Sequence, residues 1–142
     1  MENITNEEFT EKKRAAGRIG AADLAYLGDC VYELLVREHL VRRGSVKPSV
    51  ESLEFVTAHV QSEVVERLLP HLTEEEVEEY KRGRNLGHSN TPKSSTVAEY
   101  RRATGLETLF GWLYLTDQSE RLRELFSLAI GSPEATGMNR VG

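Results

Sequence analysis

The spacing of the apolar residues constrains this chain more than anything else in it. They recur at intervals of three and four along several long stretches, and nowhere do they alternate with polar residues. In residues 21–40, Leu24, Leu27, Val31, Leu34 and Leu35 follow the helical interval, while Ala25, Tyr32 and Val36 spread the apolar surface onto another side. A helix apolar around most of its circumference belongs inside a domain. A second stretch, about 50–69, repeats the interval with Leu53, Val56, Val60, Val64 and Leu68, and Pro70 ends it. Thr73 with Glu76 three residues later has the form of a capping box for a third helix through about residue 81, whose early glutamates suit the helix dipole. A fourth helix is expected over 96–115 on Val97, Tyr100, Leu106, Phe110, Leu113 and Tyr114, and a fifth over 120–130, stopped by Gly131.

With no alternating strand, internal repeat or coiled-coil heptad, the expected class is all-α. A chain of 142 residues holds one domain with one core. That domain is expected over 21–131, between a charged, mobile or loosely helical extension at 1–20 and a flexible tail at 132–142. No apolar run reaches the roughly 20 residues of a membrane span, and the first residues carry no secretory signal, so a cytoplasmic protein is expected. The single cysteine, Cys30, is read as a small buried thiol. His39, His59, His71 and His88 lack zinc-ligand spacing, and no glycine loop of a nucleotide-cofactor enzyme is present.

A net charge of −5 would disfavour a nucleic-acid partner if the charge were spread evenly. Between residues 81 and 98, however, stand Lys81, Arg82, Arg84 and Lys93 without one carboxylate, interleaved with Gly83, Asn85 and Gly87. Such a strip meets phosphate, since cations and exposed backbone N–H groups are what an anion needs; a solvated polar loop is the ordinary alternative.

Asp29 shares a helix side with Ala22, Ala25, Tyr32 and Val36. An ionised acid withdrawn from water needs a partner, a hydrogen bond or a metal, although pairing with an arginine or turning to solvent would also satisfy it. Its neighbour Gly28 costs a helix about 1 kcal/mol relative to alanine, which close approach of another backbone would explain. Glu107 stands on the fourth helix near Ala103, Thr104 and Gly111. Two helices crossing at Gly28 and Gly111 would bring Asp29 and Glu107 close enough to share a hard cation, and structural packing alone would use the same glycines.

The stretch Leu24-Ala25-Tyr26-Leu27-Gly28-Asp29-Cys30-Val31-Tyr32-Glu33 resembles the signature helix of the ribonuclease III family, in its short Mini-ribonuclease III branch. Lys81-Arg82-Gly83-Arg84-Asn85, Thr91-Pro92-Lys93, Tyr100-Arg101 and Thr104-Gly105-Leu106-Glu107-Thr108-Leu109-Phe110-Gly111 look like further blocks of that branch in the same order. The resemblance implies an all-α endonuclease domain that forms a homodimer around double-stranded RNA. It implies Mg²⁺, with Mn²⁺ as a substitute, held by Asp29 and Glu107 as the catalytic and metal residues, and 5′-phosphate products. Arg82, Arg84, Asn85 and Lys93 are the RNA contacts that fit it, and the implied substrate is precursor large-subunit (23S) ribosomal RNA, whose ends would be matured. In full-length relatives a glutamate and an aspartate stand where this chain has Ala25 and Thr104, which halves the acid set. The alternative that this suggests is a catalytically silent RNA-binding or ribosome-assembly factor. Glu33 is a supplementary acid or a partner of Arg37. The chain also has no room for the separate double-stranded-RNA-binding domain of those relatives.

Overall fold

The computed structural model describes residues 4–87 and 96–131, all helix and connecting turn. The helices are α1 (Asn6–Gly17), α2 (Ala21–Arg42), α3 (Pro48–Glu51), α4 (Leu53–Val56), α5 (Ala58–Leu68), α6 (Glu74–Arg84), α7 (Val97–Leu115) and α8 (Ser119–Ile130), with a short 3₁₀ turn at Leu69–His71. No strand occurs among the described residues, as the apolar spacing predicts. Helix α7 runs through the middle, with α2, α6, α5 and α8 packed around it. Its wetter N-terminal turns give way to a continuous buried stretch from Ala103 to Leu113, interrupted only by the half-buried Glu107. Beneath it Tyr32 meets Phe110 and Phe126 at ring-centroid distances of 5.8 and 6.0 Å, and the Tyr32 hydroxyl donates to the Phe55 carbonyl at 2.9 Å. That bond fixes the orientation of the helix that carries Asp29.

Several boundaries follow from local chemistry visible in the sequence. Thr73 and Glu76 form the expected reciprocal cap of α6, at 3.2 and 2.9 Å, and Thr96 with Glu99 does the same for α7. Gly131 ends α8 at φ 66°, a left-handed position that glycine adopts without a Cβ penalty.

Other expectations are corrected. The extension is not loose between residues 6 and 17: α1 is capped by Thr5 and Glu8, buries Ala16, and is tied down by Lys12–Asp117 at 2.9 Å and Lys13–Glu75 at 3.1 Å. The stretch 50–69 is three helices, because Thr57 is extended and its hydroxyl accepts from Val60 N to start α5 afresh. Val50 and Leu53 consequently face solvent, as does Leu34 on α2. Cys30 is exposed rather than buried.

Candidate active site

Helix α2 crosses α7 backbone to backbone. A Cβ placed on Gly28 would collide with the Glu107 carbonyl and lie 2.8 Å from the Gly111 nitrogen. On Gly111 it would collide with the Leu24 carbonyl and lie 3.2 Å from the Gly28 nitrogen. No side-chain rotation relieves a clash with backbone, so the crossing requires both glycines. On the opposite flank α6 approaches α7 by the same means, with Gly83 against Thr108 and Gly105 against the Tyr80 ring.

The first crossing brings Asp29, one residue past Gly28, beside Glu107. They share a cleft of about 340 Å³ whose walls include Ala25, Tyr26, Tyr100 and Thr104, with Leu86 and Gly87 also lining it. Asp29 is exposed at the cleft, not set among the buried apolar side chains of its helix. Glu107 is half-buried. Burial, together with the charge of Asp29 and a hydrogen bond to it, pushes the Glu107 carboxyl up to about 8, against a smaller opposing pull from the Gln61 amide. Neither acid forms an ion pair with a described Lys, Arg or His, and no group of three or more described His, Cys, Asp or Glu is placed to hold a metal ion. Ala25 and Thr104 line the same cleft; the Thr104 hydroxyl is turned to its own helix and donates to the Tyr100 carbonyl at 3.0 Å.

The cations expected to meet RNA divide. Arg82 is half-buried, held by Glu79 at 2.7 Å and donating to the Ile19 carbonyl at 2.5 Å. Arg84 has no carboxylate partner among the described residues: its Nε donates to Asn85 Oδ1 at 3.1 Å and its guanidinium sits 5.8 Å from the Tyr80 ring centroid. Asn85 is the exposed C-cap of α6, and Lys93 lies outside the described residues. Glu33 is paired with Arg37 at 2.8 Å and does not line the cleft.

Gln61 is the site residue that the apolar spacing does not pick out. It is 2 % exposed on α5, its Nε2 donates to the Val56 carbonyl at 3.4 Å and is near enough to Glu107 to pull that carboxyl down, and its Oε1 has no partner among the described residues. The signal was a polar side chain in register with the buried Val64, Val65 and Leu68.

Comparison with known proteins agrees with this arrangement. The Ribonuclease III domain family matches residues 22–118, a span that includes Asp29, Gly28, Glu107 and Gly111. The chain is 36% identical over 137 residues to a Mini-ribonuclease 3 of Clostridium tetani, covering 94% of this chain and 89% of that protein. It is 45% identical over 109 residues to a Mini-ribonuclease 3 of Symbiobacterium thermophilum, covering 75% and 84%. The crystal structure of a Fusobacterium nucleatum protein superposes with a TM-score of 0.71 at 30% identity, over 80% of this chain and 93% of that one. With the family's span lying across both glycine-mediated crossings and the acid pair between them, the chain belongs to the ribonuclease III family, in its Mini-ribonuclease 3 branch.

Proposed function

We propose that this endoribonuclease cuts double-stranded RNA with Mg²⁺ as a homodimer, leaves 5′-phosphate ends, and matures the ends of precursor 23S ribosomal RNA in the cytoplasm. The observation that carries the reading is the pairing of Asp29 with Glu107 in a cleft where no described cation compensates them. Two like-charged carboxylates side by side are hard oxygen donors that a divalent cation neutralises, which suits Mg²⁺ or Mn²⁺. When bound, Mg²⁺ lowers the pKa of a water and neutralises charge developing on the scissile phosphate. The chain's own part is positioning. The Gly28–Gly111 crossing fixes the backbone under both acids, the Gln61 amide opposes the rise of the Glu107 carboxyl, and Arg84 and Asn85 present donors to the RNA backbone next to Leu86 and Gly87, which line the cleft.

The homodimer reading is supported by exposed apolar side chains along α2, where Tyr26, Leu34 and Val41 are 86 %, 62 % and 68 % exposed, and by the exposed Val46, Val50 and Leu53 after it. Apolar side chains that recur on one exposed face favour a second protein surface over water. The cytoplasmic reading is compatible with the described helices, none of which is long and apolar enough to cross a membrane.

The test is incubation of a perfect RNA duplex with the protein and Mg²⁺, beside an Asp29→Asn variant. Cleavage by the first and not the second is expected. Binding without cleavage by both, over a range of metal and salt, would replace the enzyme with a silent RNA-binding factor. A monomer in sedimentation at working concentration would remove the two-strand cutting model, and unchanged ends of precursor 23S RNA would remove that substrate.

A further inference from the structure

Most described lysines and arginines are neutralised in place by glutamates or, for Lys12, by Asp117. Among the described residues, Lys47, Arg67, Lys81, Arg84, Arg101 and Arg102 are the lysines and arginines that join no ion pair, and the last four line one cleft. This cleft, of about 720 Å³, lies between α6 and α7, and no described carboxylate lines it. Its walls also include Leu69, Val77 and Val97, of which Leu69 and Val97 are 40 % and 51 % exposed. It adjoins the acid cleft at the end of α6: Arg84 and Asn85 line this cleft, and the next residues, Leu86 and Gly87, line the acid cleft.

A regular RNA duplex presents phosphates and sugar hydroxyls and keeps its base faces stacked inside, so it offers nothing to an apolar wall. A ligand that uses the whole cleft needs a negative group for Lys81, Arg84 and Arg101 and a flat apolar body for Leu69 and Val97. A nucleotide out of its stack has both, and the volume is that of a site for a small organic ligand. We propose that this cleft is a subsite for one unpaired nucleotide of the RNA whose scissile phosphate lies at Asp29 and Glu107. The inference rests on the nuclease reading and adds to it: the enzyme favours duplexes interrupted by an unpaired nucleotide near the cut.

Three duplexes of the same paired sequence test it, one fully paired, one with a single unpaired adenosine, and one with an abasic nucleotide at that place. Affinity is measured with the full-length Asp29→Asn protein and cleavage with the unsubstituted protein. The unpaired adenosine is expected to tighten binding about tenfold over the fully paired duplex, the abasic one to lose most of that gain, and Val97→Asn to remove it while leaving the fully paired duplex bound and cut as before. Equal binding of all three duplexes, with the fully paired one still cut, overturns the subsite and leaves the nuclease standing. Equal gains from adenosine and the abasic nucleotide also overturn it, because the apolar wall then reads no base. Displacement of the gain by an acidic peptide of alternating Glu and Leu would assign the cleft to a protein partner instead. Loss of both binding and cleavage for every duplex overturns the nuclease reading and the subsite with it.

Discussion

Glu76 and Glu107 stand on helices that pack together, and each has lost much of its contact with water. Their surroundings treat them oppositely. Glu76, 3 % exposed, accepts from Arg121 Nε and a second guanidinium nitrogen at 2.8 and 2.9 Å, and from the Thr73 nitrogen at 2.9 Å. Burial pushes its carboxyl up, but the Arg121 and Thr73 hydrogen bonds outweigh burial and hold it below the ordinary 4.5. At Glu107 burial and the neighbouring acid push the same way, to about 8. An acid that is fully compensated by its own fold locks one helix to another; an acid set beside its like and left without a cation is arranged for something that arrives from outside.

The largest break of this contrast is expected at the uncompensated pair. Asp29→Asn removes one of two acids and the accessible one, and duplex cleavage in Mg²⁺ should fall by about three orders of magnitude or more. The fold should not suffer, because Asp29 is exposed and its charge only adds to the push that keeps Glu107 from ionising: the metal-free variant should melt at the same temperature as the parent or higher. A variant that loses activity by unfolding would show the opposite shift and make Asp29 a structural residue.

At the compensated pair the two readouts exchange places. Arg121→Ala leaves Glu76 buried without its guanidinium, and also frees the His71 carbonyl, to which Arg121 donates at 2.7 Å. The expected cost is about 3 kcal/mol, seen as a drop in melting temperature of roughly 10 °C, with cleavage per folded molecule unchanged. Loss of cleavage well below the melting temperature would mean that α8 acts on the site and not only on the fold.

Acidity separates the pairs further. Glu76 ionises more readily folded than unfolded, so its contribution is present above pH 4.5 and is lost as the pH falls through its depressed folded value. Glu107 has the reverse sign. In metal-free protein the unfolded chain releases this proton near 4.5 while the folded chain keeps it to about 8, so stability falls as the pH rises between those values, by on the order of a few kcal/mol. Denaturation at a series of pH values in chelator should show the decline, and Glu107→Gln should flatten it. A decline that survives the substitution would place its source elsewhere.

The contrast also explains which parts of the molecule could be read from the chain alone. Helix starts at Thr73 and Thr96 and the stop at Gly131 depend on side chains within four residues, and sequence spacing reaches that far. The meeting of Asp29 and Glu107 was legible for a less local reason: Gly28 and Gly111 are costly in helices unless backbones touch, and each stands near an acid. Gln61 was not legible, because a polar side chain among valines acquires its meaning only once α5 lies against α7. Leu34, Val50 and Leu53 keep helical spacing and yet face solvent, since spacing cannot distinguish a surface covered by this chain's own core from one that a second subunit would cover. Helix α1 was read only as mobile or loosely helical, because it buries little and is held by Lys12 and Lys13, whose partners are distant in sequence.

The smallest expected effect carries the comparison from acids to bases. Arg82 and Arg84 are two residues apart in one basic run, and composition treats them alike. Arg82 is compensated by Glu79 and the Ile19 carbonyl, which ties α6 to the turn before α2. Among the described residues, Arg84 is engaged only by its neighbour Asn85 and the Tyr80 ring. Arg82→Ala should therefore cost about 1 kcal/mol of stability and leave the salt dependence of RNA binding unaltered, since a guanidinium held by a carboxylate displaces no counterion from RNA. Arg84→Ala should leave the melting temperature nearly unchanged and lower the slope of log affinity against log salt by about one, the signature of one lost phosphate contact. Duplex binding measured across a salt series for both variants decides it. Equal slopes for Arg84→Ala and the parent would remove Arg84 from the RNA contacts, and a reduced slope for Arg82→Ala would mean that RNA draws Arg82 away from Glu79 on binding.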